Sequence, residues 1–121
     1  LATCLEQTFA DRQITSADQL RALRCSSAGI ESVEGLQRYR ELARLDLDRN
    51  RLREIGALAA LPRLETLSLR DNRLHRLGAM ACPARLTSIA LAGNEDLDCR
   101  ELASLRRCGV AIVDAPVHCA P

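Results

Sequence analysis

Lysine is absent from this chain of 121 residues, and so is tryptophan; all seventeen basic side chains are Arg. Phe9 and Tyr39 are the whole aromatic complement. So few aromatic platforms argue against sugar stacking, base stacking and aromatic cages as recognition chemistry. No apolar run reaches about 18 residues, so no transmembrane segment is expected. No Cys-x-x-Cys occurs, and His118 beside Cys119 is the one close Cys/His pair, which argues against a metal site. A nucleophile elbow, a glycine-rich phosphate loop and a metal triad are all missing, so neither an enzyme nor a cofactor is expected. Sixteen acidic side chains balance the Arg to a net charge of +1, which gives no bulk signal for a nucleic-acid partner. The length fits one domain. Heavy use of Arg and Ala fits a GC-rich bacterial genome.

What the chain has instead is leucine, 21 residues of it, arranged in a repeat. Asn50, Asn72 and Asn94 stand 22 residues apart. Around them runs Leu42-x-x-Leu45-x-Leu47-x-x-Asn50-x-Leu52. It returns as Leu64-x-x-Leu67-x-Leu69-x-x-Asn72-x-Leu74 and as Leu86-x-x-Ile89-x-Leu91-x-x-Asn94. One step back, Leu20, Leu23, Cys25 and Ile30 keep the frame, with Ala28 in the Asn position. One step forward gives a degenerate copy, Cys108-x-x-Ala111-x-Val113. The second halves also align, as Val33, Ile55, Leu77 and as Leu36, Leu58, Met80.

This pattern resembles the leucine-rich repeat in its short 22-residue class, over roughly residues 20–114. The resemblance implies an α/β solenoid, with a curved parallel β-sheet on the concave face and helical or irregular convex segments. Alternation puts Leu45 and Leu47 on one face of a short strand. No single repeat buries its own apolar face, so neighbours stack into a continuous core. In the family the Asn amides satisfy backbone groups at the bend after each strand, which makes Asn50, Asn72 and Asn94 a structural ladder.

The expected organisation is one domain over 1–121: an N-terminal cap at 1–19, repeats at 20–97, and a C-terminal cap at 98–121 with a degenerate last strand. Leu5 and Phe9 at i and i+4 predict a short amphipathic helix in the first cap. In the second, Asp98 is expected to cap a helix through about Arg107, with Glu101 completing a capping box and Gly109 ending it.

Six Cys in so short a chain point to disulfides, with fifteen connectivities open to them. The Cys4 region with Cys25, Gly29-Ile30 and Glu34-Gly35-Leu36 resembles secreted bacterial leucine-rich proteins. Cys99 and Cys119 resemble the disulfide-closed C-terminal caps of that superfamily. The resemblance therefore implies Cys4 with Cys25 and Cys99 with Cys119, leaving Cys82 and Cys108 for each other. Six buried free thiols are the competing reading. Disulfides imply an oxidising compartment, secreted or periplasmic. Leu1-Ala2-Thr3-Cys4 also resembles a lipobox, which would make a lipid-anchored envelope protein, although Thr3 stands where Gly or Ala is preferred.

Alternation assigns the concave face to Ala22, Arg24 and Ser26; Arg44, Asp46 and Asp48; Thr66, Ser68 and Arg70; Ser88, Ala90 and Ala92; Val110, Ile112 and Asp114. The expected protein-binding residues are Arg24, Arg44, Asp46, Asp48, Thr66, Ser68, Arg70 and Ser88, with Asp46 and Asp48 expected to pair with Arg44 and Arg49. A plain solvated sheet face is the alternative. Arg63, Arg85 and Arg107 form a second series, with Arg51 and Arg73 a shorter one. Glu41, Glu54, Glu65 and Glu101 are expected to offset them. His75 aligns with Arg53 and Glu31 and is expected at the surface. The function expected from all this is a protein-binding module whose partner the sequence does not name. The alternatives are a self-associating subunit of an envelope assembly and an intracellular regulatory module.

Overall fold

The computed structural model describes residues 1–83 and 85–119. In chain order its elements are helix α1 (Ala2–Arg12), strands β1 (Ala22–Arg24), β2 (Arg44–Asp46), β3 (Thr66–Ser68) and β4 (Ser88–Ala90), helix α2 (Arg100–Arg107) and strand β5 (Ala111–Asp114). The five strands form one parallel sheet in sequence order. Leu23, Leu45, Leu67 and Ile89 stand beside one another in register. Each parallel neighbour needs a crossover, and here it runs through short 3-10 turns at Leu36–Arg38, Gly56–Ala60 and Gly78–Ala81.

The choice of 3-10 turn is written in the spacing. Val33 and Leu36, Ile55 and Leu58, and Leu77 and Met80 are three residues apart and all buried. A period of three matches a helix with three residues per turn, so each pair falls on one face. The same backbone bond closes each turn: Leu36, Leu58 and Met80 donate to the carbonyls of Val33, Ile55 and Leu77. These side chains meet the strand leucines in one apolar core.

The turn out of each strand is equally regular. Ser27, Arg49, Asp71 and Gly93, each one residue before the ladder position, all have positive φ, from 54 to 81°. Only the last is Gly, and a Cβ there would overlap the Asp71 carboxylate and lie 2.9 Å from the Asp71 backbone nitrogen. The buried Asn side chains fix the bend. The Asn72 amide nitrogen donates to Leu47 O at 3.0 Å in the preceding coil, and to Leu69 O at 3.1 Å in its own. Its oxygen accepts from Leu52 N at 3.0 Å. Asn50 reaches Cys25 O, Leu47 O, Ala28 N and Ile30 N in the same way. Asn94 reaches Leu69 O, Leu91 O and Leu74 N.

Both solenoid ends are covered. Helix α1 lays Leu1, Cys4, Leu5 and Phe9 against the first coil. Phe9 meets Tyr39 edge to face, with centroids 5.9 Å apart. Arg12 Nη1 donates to Ala22 O at 2.6 Å, on strand β1. Helix α2 buries Leu102 and Leu105 at the other end. Three disulfides join Cys4 to Cys25, Cys82 to Cys108 and Cys99 to Cys119, with Cα separations of 5.9, 5.5 and 5.3 Å. A sulfur bonded to Cys25 carries no thioether, so the disulfide and lipidation of Cys4 exclude each other.

Two details of the C-terminal end correct the sequence reading. Asp98 accepts from the Arg100 backbone nitrogen at 3.0 Å, but Glu101 does not close a capping box. Its carboxylate accepts instead from Leu77 N at 3.1 Å, tying α2 to the previous coil. The last strand is also out of step. Ile112, not Ala111, stands beside Ile89, and a bulge then sets Asp114 beside Ala90. Val110 is buried and Ile112 packs on the core, so neither faces the concave side, while Val113 is 65% exposed. The reason is geometric. An α-helix rises only about 1.5 Å per residue against about 2.0 Å for a 3-10 turn, so a crossover through α2 consumes more residues.

Candidate protein-binding face

Register builds the concave face as rows across the sheet. The first is Ala22, Arg44, Thr66, Ser88 and Ala111; the second is Arg24, Asp46, Ser68, Ala90 and Asp114. Ser26, Asp48, Arg70 and Ala92 follow one step further along the chain. The strands carry these side chains because their alternate positions are committed to the core.

The carboxylates serve the sheet first. Asp46 accepts from Asp48 N at 3.0 Å and Ser26 Oγ at 3.3 Å, and pairs with Arg24 at 3.6 Å. Asp48 is buried, only 7% exposed. It accepts from Ser68 Oγ at 2.6 Å and Arg70 N at 2.8 Å, and its second oxygen lies 3.6 Å from the Arg70 guanidinium. The expected partners are therefore corrected. Arg24 and Arg70 take the places given to Arg44 and Arg49, and Arg49 donates to Ser27 Oγ instead. Asp48 thus clasps the coil of β2 to that of β3.

Arg70 makes the longest reach on the face. Its Nε donates to Asp114 Oδ2 at 2.9 Å, from the end of β3 to β5. The bridge spans the coil of β4, whose concave positions Ala90 and Ala92 are small. Small side chains there leave the path open. The Asp114 hydrogen bond, opposed by partial burial and helped by both carboxylates, raises the Arg70 pKa above its ordinary value.

What remains outward is a polar, partly cationic strip: Arg24, Arg44 and Thr66 exposed, with Ser68 and Ser88 half-buried. Among the described residues Arg44 has no ion-pair partner. The offsetting of the Arg series is partial. Glu41 pairs with Arg63 at 3.2 Å, and Glu31, not Glu54, lies 4.0 Å from Arg51. Glu54 and Glu65 make no ion pair among the described residues. His75 is exposed.

Among the described residues, Cys99, His118 and Cys119 are the grouping with metal-ligand chemistry, their donor atoms within 4.8 Å of one another. The disulfide occupies both sulfurs, and His118 Nε2 lies 2.9 Å from Leu97 O. That set does not fit a metal ion while the disulfide stands. Among the described residues no helix is long and apolar enough to cross a membrane.

The comparisons agree on the architecture. The sequence pattern of the leucine-rich repeat family matches residues 40–95. No curated protein matches the chain. Among solved structures it is similar to an internalin (inlF) from Listeria monocytogenes str. 4b F2365, with a TM-score of 0.73 and 21% identity, over 91% of this chain and 35% of that one. The chain thus spans about a third of that protein's length. Residues 40–95 carry leucine-rich repeats, and the fold of the chain is the leucine-rich-repeat solenoid.

Proposed function

We propose that this chain is an extracytoplasmic protein-recognition module that presents its concave sheet to a protein partner. The observation that carries this is the concave face itself. Its acids are tied down between strands, while Arg24, Arg44, Thr66 and Ser88 stand in fixed register beside them. A pre-organised face loses little freedom on binding, which favours affinity without induced order. Three disulfides and no free cysteine among the described residues support placement in an oxidising compartment, secreted or periplasmic. They weigh against the intracellular regulatory reading. The alternative of a self-associating envelope subunit rests on the open far edge of β5, where Val113 is exposed, and the bulge in that strand weakens it as a pairing edge.

The test is capture from envelope and host-surface extracts by the disulfide-intact protein and by two double variants. Arg44→Glu with Ser88→Arg changes the concave strip; Arg53→Glu with Ala59→Glu changes exposed positions away from it. A partner held by wild type and by the second variant, and lost by the first, is the expected result. Equal capture by both variants contradicts the concave-face reading. A mass in solution that rises with concentration, unaffected by the concave variant, supports assembly instead.

A further inference from the structure

The net charge of +1 conceals a segregation between the two rims of the sheet. The rim entering the strands is formed by residues 16–22, 38–44, 60–66, 82–83, 85–88 and 104–109. It carries eight Arg against three acids, Asp18, Glu41 and Glu65. The rim leaving the strands, residues 27–33, 49–55, 71–77 and 93–99, carries five Arg against six acids. Arg63 touches Glu41 of the coil before it, and Arg40, Arg63 and Arg85 line one shallow depression of about 490 Å³. Arg44 adjoins it on the concave side, and Arg106 and Arg107, exposed in the last turn of α2, extend it. Arg40, Arg44, Arg85, Arg106 and Arg107 make no ion pair among the described residues.

Parallel strands stack at about 4.8 Å, so Arg63 and Arg85, at equivalent positions of successive coils, start about one coil spacing apart, with Arg40 on the coil before them and Arg107 on the coil after. Like charges held together in this way, of which Arg63 alone has an ion-pair partner among the described residues, repel one another, and a linear polyanion laid along them relieves that repulsion. The geometry points to a sulfated polysaccharide bound along the entering rim, its sulfate esters paired with Arg40, Arg63, Arg85 and Arg107. Guanidinium suits this ligand because its fork donates two parallel hydrogen bonds to a tetrahedral oxyanion. A single-stranded nucleic acid fits less well, since the rim has no aromatic surface for bases to stack on. An anionic membrane also fits less well. Surface insertion needs exposed apolar side chains, and the large ones exposed among the described residues, Val113 and Val117, follow α2 outside the rim. The inference shares with the recognition reading the extracytoplasmic location and the border residue Arg44; Arg40, Arg63, Arg85 and Arg107, which pair with the sulfates, lie outside the concave rows.

The experiment measures binding of a heparin-derived dodecasaccharide, and of its fully desulfated form, to the disulfide-intact protein by calorimetry at two salt concentrations. Arg63→Glu with Arg85→Glu reverses the entering rim, and Arg51→Glu with Arg73→Glu reverses the other. Circular dichroism checks the fold, and Arg63→Gln with Arg85→Gln replaces the first pair if it fails to fold. The expected result is binding of the sulfated chain alone, weakening with salt. It should fall by at least about tenfold in the entering-rim variant and by less than about twofold in the other. Equal losses in both variants, unchanged binding in the first, or equal binding of the desulfated chain would overturn the inference. So would tighter binding to phosphatidylserine-containing vesicles or to single-stranded DNA than to the dodecasaccharide. None of these outcomes alters capture by the concave face, so the two readings fail separately.

Discussion

Asn72 shows how much a single side chain holds. It satisfies backbone carbonyls in two successive coils and one amide in the earlier coil, all within the core. Asn72→Ala leaves Leu52 N buried without its acceptor, while Leu47 O keeps the Asn50 amide and Leu69 O the Asn94 amide. The expected loss is about 1–3 kcal/mol, the cost of one orphaned buried amide. Urea unfolding with an unchanged slope measures it; a loss below about 0.5 kcal/mol contradicts the ladder's role. The Asn positions are legible in the sequence because a fixed bend at a fixed interval leaves a fixed residue. The fate of Asp48 is not. Alternation gives the side a residue faces, but not whether neighbours close over it, and its partners Ser68 and Arg70 lie on the next coil. The Arg70 bridge to Asp114 is less legible still, since it joins residues 44 positions apart across a strand of small side chains.

Among the elements, the convex segments are legible only as helical or irregular; the apolar spacing of three accounts for the 3-10 turns once the structure shows them. The last crossover is not legible, because a 22-residue frame says nothing about a change of helix type. That change displaces β5 and moves Val110 and Ile112 from the expected face into the core. The same helix carries a pH signature. The Arg100 side chain, then its backbone nitrogen, holds the Asp98 carboxyl down at about 2. A carboxyl lowered on folding stabilises fully above its ordinary value, and that stabilisation disappears as pH falls through the folded value. Asp98 is therefore expected to support the start of α2 at neutral pH and to lose this support between about pH 4 and pH 2. A carbon NMR titration should place its midpoint near 2, and Arg100→Ala should raise it toward the ordinary range. A midpoint already near the ordinary carboxylate value in wild type contradicts the arrangement.

At the scale of the molecule, the ends decide whether a short solenoid persists. Stacking buries each inner coil on two sides, whereas an end coil is buried on one unless something covers it. Here α1 covers the first coil and α2 the last, and each cap is held by disulfides spanning 20 to 26 residues. By loop entropy, each contributes about 3 kcal/mol. That is large beside the total of about 5–15 kcal/mol expected of a folded domain. The caps keep the sheet from fraying, so its concave side and its Arg-lined rim stay in register. The measurement that tests this most directly is peptide mapping of the protein from its native source, digested without reduction after thiol alkylation. The account predicts three linked pairs, Cys4 with Cys25, Cys82 with Cys108 and Cys99 with Cys119, and no alkylated cysteine. Six alkylated thiols, or a different pairing, would contradict both the stapled solenoid and its placement outside the cytoplasm.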